Sequence, residues 1–349
     1  GTKARRVARG PASRARSTPA LRAALGARYG LGADGVTDLG GSSNLNLLLE
    51  DGGQRHVARV YRPWVTAARL AALQRARAHL AAGGVPCVRH VPAAGGAPWI
   101  EVEGRLVEVE PYVAHDARMN TWERLTAGLP TLGRLHGRLS RLPAPPAGRH
   151  APASNSIAPE AVLPGVRRGL RRLRRWGPTP AERHLAAAAE ALAGAVAAAE
   201  GAAAPLPRQL VHGDFWDNNV LFRDGAVVLV TDLDFMGQRA RIDDLALTLY
   251  YTTSTFSDDP DSDARLRRVR TLVDAYDGGL DGGDALTPDE RAALPLALAR
   301  TPLAFVAMLA DVDSEAGARR LAAELAADVA WARRIAGDLG RWRAALARR

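Results

Sequence analysis

The sequence predicts an α+β protein in two unequal lobes: an N-terminal lobe built on an antiparallel sheet and a larger, mostly helical C-terminal lobe. Three observations predict it. Short apolar runs separated by Gly-rich turns crowd residues 36–113. From residue 114 onward the apolar residues recur at helical spacing. One stretch, residues 210–234, interrupts the helices with two short strands and a cluster of carboxylates and amides. The chain divides into a disordered arm (1–18), an N-terminal lobe (19–113) and a C-terminal lobe (114–349).

Composition narrows the classes. With 349 residues, 47% of them hydrophobic, the chain can bury a large core. The formal net charge is +10 and the pI about 10.7, which is the charge of a nucleic-acid or membrane binder. Lys3 is the only lysine, however, so the positive charge is almost all arginine. Together with abundant alanine this reads as a compositional bias, and no nucleic-acid-binding motif accompanies it. Cys87 is the only cysteine, which fits a reducing, cytoplasmic setting. The apolar run 292–310 is interrupted by Pro295, Arg300 and Pro302 and reads as a core helix, not a membrane span. Neither nucleic acid nor membrane is expected as a partner.

Taken in order, Pro19 to Tyr29 is a short helix that Thr18 caps and Gly30 ends. Val36–Leu39, Leu45–Glu50 and Gln54–Tyr61 are strands joined by Gly40-Gly41-Ser42-Ser43-Asn44 and by Asp51-Gly52-Gly53. A Gly/Ser turn lets backbone N–H groups approach phosphate oxygens, although most such turns merely connect hairpins. Period two puts Val57, Arg59 and Tyr61 on one face of their strand. Residues 65–82 form a helix ended by Gly83-Gly84. Cys87–Val91, Trp99–Val102 and Leu106–Val113 read as further strands. Thr121–Leu142 is a helix bent or restarted at Pro130, with His136 inside it as a packing residue. Residues 143–159 are Pro-rich and loop-like. Val162–Trp176 is a basic helix with a solvated face. Thr179-Pro180-Ala181-Glu182 and Thr287-Pro288-Asp289-Glu290 are capping boxes that open two further helices. Residues 257–263 form an acidic loop, and residues 314–347 close the chain with one or two amphipathic helices.

The chemistry concentrates in residues 210–234. His212-Gly213-Asp214 is followed by Asn219. Val220–Phe222 and Val227–Val230 flank the turn Asp224-Gly225 as a hairpin. The second strand delivers Asp232 and Asp234. Carboxylate and amide oxygens gathered at one end of a hairpin suit a hard cation such as magnesium, and a carboxylate in front of it can orient a hydroxyl. Those are the parts of a phosphoryl-transfer site.

The combination of His212-Gly213-Asp214, Asn219, the hairpin, Asp232 and Asp243-Asp244-Leu245-Ala246 resembles the aminoglycoside phosphotransferase, homoserine kinase and choline kinase superfamily. The resemblance implies the bilobal protein-kinase-like fold. It implies Asp214 as the catalytic aspartate, Asn219 and Asp232 as magnesium ligands, His212 as the residue that orients the catalytic loop and Asp244 as its tether. Asp234, followed by Phe235, stays an alternative to Asp232; the register to Asp244 favours Asp232. The family's strand lysine is missing, and by alignment Arg59 takes its place, a workable exchange because a guanidinium clamps phosphate oxygens in a fork. The acidic partner expected on the following helix is missing too; Gln74 or a neighbour occupies that region. Ser42 and Ser43 would lie over the phosphates, Val57 against the adenine, and Glu110, Tyr112 and Val113 would supply the linker whose backbone groups bind adenine.

The function so implied is magnesium-dependent transfer of the γ-phosphate of ATP, or GTP, to a hydroxyl of a small molecule. The favoured acceptor is an antibiotic natural product of aminoglycoside or nucleoside type. The alternatives are a metabolic kinase for homoserine, choline or a sugar, and a pseudokinase that binds nucleotide without turnover. A zinc hydrolase built on His212 and Asp214 is a third reading.

Overall fold

The computed structural model describes residues 14–32, 34–41, 44–151, 154–253, 263–281 and 284–347. The first helix, α1 (Pro19–Tyr29), starts at Thr18, whose side chain accepts the Leu21 N–H, and ends at Gly30 in the left-handed region. Five strands follow: β1 (Gly35–Asp38), β2 (Leu45–Asp51), β3 (Gln54–Val60), β4 (Ile100–Val102) and β5 (Arg105–Pro111). They form one antiparallel sheet in the order β1-β2-β3-β5-β4. Strand alternation divides its two faces. Leu45, Leu47, Leu49, Ala58, Val60 and Val109 build an apolar face, packed with Leu21 and Leu25 of α1. The other face is polar: Arg59 stands opposite Glu108, and Val57 opposite Glu110. That polar face meets α2 (Ala67–Ala82), capped by Thr66.

The strand expected at Cys87–Val91 is not there. Pro86 and Pro92 bracket the segment and remove donors, so it makes a single bridge, Val91 to Val109. Cys87 is partly buried, and burial pushes its thiol up to about 12, so it is an inert packing residue.

The helical lobe begins after β6 (Ala117–Arg118). It comprises α3 (Trp122–Leu139), α4 (Pro146–Arg149), α5 (Val162–Arg174) and α6 (Pro180–Gly201), then β7 (Gln209–Val211), β8 (Val220–Arg223), β9 (Ala226–Val230) and β10 (Gly237–Arg239). The chain closes with α7 (Arg241–Thr253), α8 (Asp263–Asp277), α9 (Pro288–Ala307), α10 (Glu315–Gly337) and α11 (Leu339–Leu346). β8 and β9 are the hairpin expected around Asp224-Gly225, with β6 added at its edge. β7 pairs with β10. α3 runs unbroken through Pro130, and α9 runs through Pro295 and Pro302. Both predicted capping boxes are present at Thr179 and Thr287.

α9 is long and apolar enough to cross a membrane by length and composition, yet 89% of its apolar window is buried inside the fold. It is the central helix of the lobe and packs against α5, α7 and α10. The basic helix α5 is amphipathic as read: Leu170 and Leu173 face the core, while Arg167 and Arg174 meet Glu190 at the surface.

Candidate active site

The site lies where the polar face of the sheet meets the loop between β7 and β8. Asp244, buried in the first turn of α7, fixes that loop. Its carboxylate accepts the backbone N–H groups of His212 (3.0 Å) and Gly213 (2.9 Å). The His136 Nε2 lies 3.0 Å away, and the Tyr276 hydroxyl lies 2.7 Å from the other ring nitrogen. Burial alone would raise the pKa of Asp244; the His136 hydrogen bond and the neighbouring charges bring it below the usual carboxylate range. His136 is therefore a packing residue with both nitrogens satisfied. Gly213 has φ +84°, and any Cβ there would collide with the Phe235 carbonyl. Only glycine fits.

His212 joins the loop to the end of β9. Its Nδ1 accepts the Asp214 N–H (3.2 Å), which puts the ring proton on Nε2, where it is donated to the Thr231 carbonyl (3.0 Å). Burial holds the imidazole pKa below its ordinary value. A neutral ring with both nitrogens engaged positions Asp214 and has no nitrogen free for proton transfer.

Asp214 is buried among amides. Oδ1 accepts from Asn155 Nδ2 (2.7 Å) and Oδ2 from Asn219 Nδ2 (3.0 Å). Burial, then the charge of Asp232, pushes its carboxyl up to about 8, against the pull of the two amides. Asn219 Nδ2 also reaches the Asp214 carbonyl (2.9 Å), which leaves the amide oxygen of Asn219 uncommitted.

The two candidate aspartates part company. Asp232 has φ 63°, a left-handed conformation that a non-glycine residue adopts only when held there. Its Oδ1 is buried with no hydrogen-bond partner and lies 3.9 Å from Arg59 Nη1. Asp234 turns the other way. Its Oδ2 accepts from Asn44 Nδ2 (2.6 Å), and its backbone carbonyl from Arg69 Nη2 (2.6 Å). Burial and the charge of Asp232 push its carboxyl up to about 7. An orphaned carboxylate oxygen on Asp232 and the uncommitted amide oxygen of Asn219 are oxygen donors of the kind that would suit a hard cation. Among the described residues, no group of three or more His, Cys, Asp or Glu side chains is placed to hold a metal.

Arg59 is buried. Nη2 donates to Thr231 Oγ1 (2.8 Å) and lies 3.8 Å from Glu110 Oε2. Burial would lower its pKa, but Tyr61, Asp232, Asp234 and Glu108 together raise it, so the guanidinium stays charged. The acid missing from α2 is supplied by β5. α2 instead contributes a cation, Arg77, which donates to Glu108 (2.5 Å) and pairs with Glu110. Gln74 Nε2 also donates to Glu108 (2.8 Å), as does the Tyr61 hydroxyl. The family's cation-on-strand, acid-on-helix pair is thus rebuilt, with its acids on the neighbouring strand and a second arginine on the helix.

The structure brings Asp214, His212, Asn219, Asp232, Asp234 and Arg59 together. Val57 and Glu110 face each other across β3 and β5, and the Glu110 carboxylate is taken by Arg77 and Arg59. Tyr112 and Val113 are half-buried at the exit from β5, with Arg55 stacked 4.4 Å over the Tyr112 ring. Ser42 and Ser43 lie outside the described residues, as do residues 257–262 of the acidic loop.

Sequence reasoning missed Asn155, Arg69, Arg77 and Glu108. Glu108 and Glu110 carried a signal, since acids two apart in a strand share a face. Asn155 sits in a Pro-rich loop and had none. Tyr251, which faces the Asp214 carboxylate from α7, was also unread, as was Trp216, whose ring lies 4.8 Å from that of Tyr251.

An antiparallel sheet lobe over a helical lobe, with this loop at their junction, is the protein-kinase-like fold of small-molecule phosphotransferases. The sequence matches the phosphotransferase enzyme family over residues 35–278, more than half of the 349-residue chain, and the protein belongs to that family. A comparison with curated protein sequences finds no match. Solved structures share the fold. An amicoumacin kinase, in complex with AMP-PNP and Ca2+, is 14% identical with a TM-score of 0.63, over 85% of this chain and 88% of that one. A microcompartment-associated aminopropanol kinase is 19% identical with a TM-score of 0.59, over 87% and 93%. An aminoglycoside phosphotransferase from Alicyclobacillus acidocaldarius is 16% identical with a TM-score of 0.58, over 88% and 92%.

Proposed function

We propose that this phosphotransferase moves the γ-phosphate of ATP, or GTP, to a hydroxyl of an antibiotic natural product. The observation that carries the reading is the convergence of three groups: Asp214 under two amides, Asn219 with a free amide oxygen, and Asp232 with an orphaned carboxylate oxygen beside Arg59. Asn219 and Asp232 would hold magnesium, which supplies charge neutralisation on the phosphates. Arg59 positions the phosphate oxygens with the guanidinium edge left free by Thr231. Asp214 accepts the proton of the acceptor hydroxyl as its oxygen bonds the γ-phosphorus and the bond from that phosphorus to the β,γ-bridging oxygen breaks, the nucleoside diphosphate leaving. His212 and Asn155 keep Asp214 in place. Asp234 holds the following turn to the sheet through Asn44 and serves as a supporting residue.

ATP as donor is supported by the likeness to amicoumacin kinase, which was solved with an ATP analogue and a divalent cation. The same kinase and the aminoglycoside phosphotransferase support an antibiotic acceptor. The likeness to an aminopropanol kinase supports the second reading, a metabolic kinase for a small amino alcohol. The intact Arg59–Glu110–Arg77 arrangement favours turnover over a pseudokinase. Asp214→Ala tests the assignment: phosphoryl transfer, followed as ADP release over a panel of hydroxyl acceptors, should be lost while nucleotide binding by calorimetry persists. Retained transfer would remove Asp214 from the role.

A further inference from the structure

A cavity of about 930 Å³ lies on the helical side of the site, a volume that accommodates a drug-sized molecule. Its lining is mostly apolar, with Ile157, Leu163, Leu206, Ile242 and Leu296 among its walls. Ser154 and Ser156 also line it, and Asn155 between them carries the amide that holds Asp214 Oδ1. Its base is fixed by Arg300, which is buried and paired with Glu200 (2.9 Å) and Asp243 (2.6 Å) and donates to the Ile157 carbonyl. Those three charged groups satisfy one another and offer nothing to a ligand.

The remaining charged groups do not balance. Arg149, Arg208, Arg239 and Arg343 line the cavity, and each donates only to a backbone carbonyl: those of Ala144, Gln238, Phe235 and Ala292 respectively. None has a carboxylate within ion-pair distance among the described residues. The free acids of the lining are Glu160 and Asp289. Four unpaired guanidinium groups against two unpaired carboxylates leave a surplus of two positive charges. Arg239 is the least exposed of the four, half-buried where Arg149, Arg208 and Arg343 are exposed. Its Nη1 is buried without a partner, and burial lowers its pKa against the pull of Asp244 and Asp243.

We propose that this cavity binds an amphipathic organic anion, an apolar body bearing a carboxylate or phosphate, and that it holds the part of the acceptor remote from the hydroxyl at Asp214. The binding claim stands on the cavity alone; its assignment to the acceptor rests on the phosphotransferase reading above. Within that reading it favours an acidic or neutral–acidic acceptor over a polycation.

Two dyes with one aromatic body test it. 8-Anilinonaphthalene-1-sulfonate carries a fixed negative charge, and N-phenyl-1-naphthylamine lacks it. The sulfonate should bind about 10-fold tighter, the worth of one charge-assisted hydrogen bond. The double variant Arg208→Ala/Arg239→Ala should erase that difference while leaving binding of the neutral dye. Ala293→Trp, and independently Ala197→Trp should the first fail to fold, fills the cavity and should abolish binding of both dyes. AMP-PNP and kanamycin should displace neither. Equal affinity for the two dyes, sulfonate binding that survives both Trp variants, or displacement by AMP-PNP or kanamycin would each overturn the site. Against any acceptor that turns over, the sulfonate should compete; noncompetitive inhibition would overturn the acceptor assignment. Failure of the phosphotransferase reading is separately visible, because it shows in the Asp214→Ala assay and not in dye binding.

Discussion

The two halves of the site solve opposite problems. Around Asp214 the charges are few and the fixing is done by neutral donors: the Asn155 and Asn219 amides, the backbone N–H groups held by Asp244, and a neutral His212. Around Arg59 the charges are many and hold one another: Arg59, Arg77, Glu108 and Glu110 form a buried cluster. The first arrangement holds both oxygens of the Asp214 carboxylate by uncharged donors. The second fixes one guanidinium by surrounding it with acids that are themselves neutralised. Turnover should therefore be concentrated in the loop, and stability in the cluster.

Arg77→Met separates the two most strongly. It leaves two buried carboxylates facing Arg59 alone and should destabilise the protein by about 3–5 kcal/mol, measured by urea unfolding. Asp214→Ala should leave stability close to the parent, because its removal strands no buried charge. A variant at Arg77 that lost turnover but not stability would dissolve the distinction.

Arg59→Lys is the next largest test. It restores the family's residue but removes the fork that reaches Thr231. The KM for nucleotide should rise about 10-fold, the cost of one hydrogen bond to a charged group, with kcat changed less. An unchanged KM would mean that the fork at Thr231 does not set the phosphate clamp.

The cluster also predicts an acid sensitivity. Burial would raise the pKa of Glu108, but the charge of Arg77 and the hydrogen bonds from Tyr61 and Gln74 bring it below the usual value. A carboxylate depressed in the folded state contributes stability above its unfolded pKa of about 4.3, and loses it as pH falls through the lower folded value. Unfolding free energy followed from neutral pH into acid should therefore fall more steeply for the parent than for Glu108→Gln. Parallel profiles would show that Glu108 does not drive the acid limb.

The smallest effect is expected at the surface. Glu190 meets both Arg167 (2.8 Å) and Arg174 (3.2 Å) on the exposed side of α5, and Glu190→Gln should cost no more than about 1 kcal/mol. A larger loss by thermal unfolding would make α5 more than a solvated helix.

The same contrast explains what could be read in the chain beforehand. The loop that gathers His212, Asp214 and Asn219 was legible because its residues are close in sequence, and the hairpin to Asp232 is announced by Asp224-Gly225. Capping boxes at Thr179 and Thr287 were legible for the same local reason. The clamp was only half legible. The single lysine forced attention onto Arg59, but its acids arrive by strand pairing, Arg59 opposite Glu108 and Val57 opposite Glu110, and register is not written locally. Asn155 was invisible because its partner lies 59 residues away in a loop with no period. The false strand at Cys87–Val91 came from reading β-branched residues without weighing the prolines on either side.

Arg69 carries one more consequence. Rooted in α2, it donates to the carbonyls of Asp234 and Met236 in the helical lobe's turn, and to those of Ala147 and His150 around α4. Four oxygens from two separate segments thus converge on one side chain of the smaller lobe. The turn that follows Asp232 is thereby tied to α2. Any displacement of α2 against that turn must first break the bonds to Asp234 and Met236.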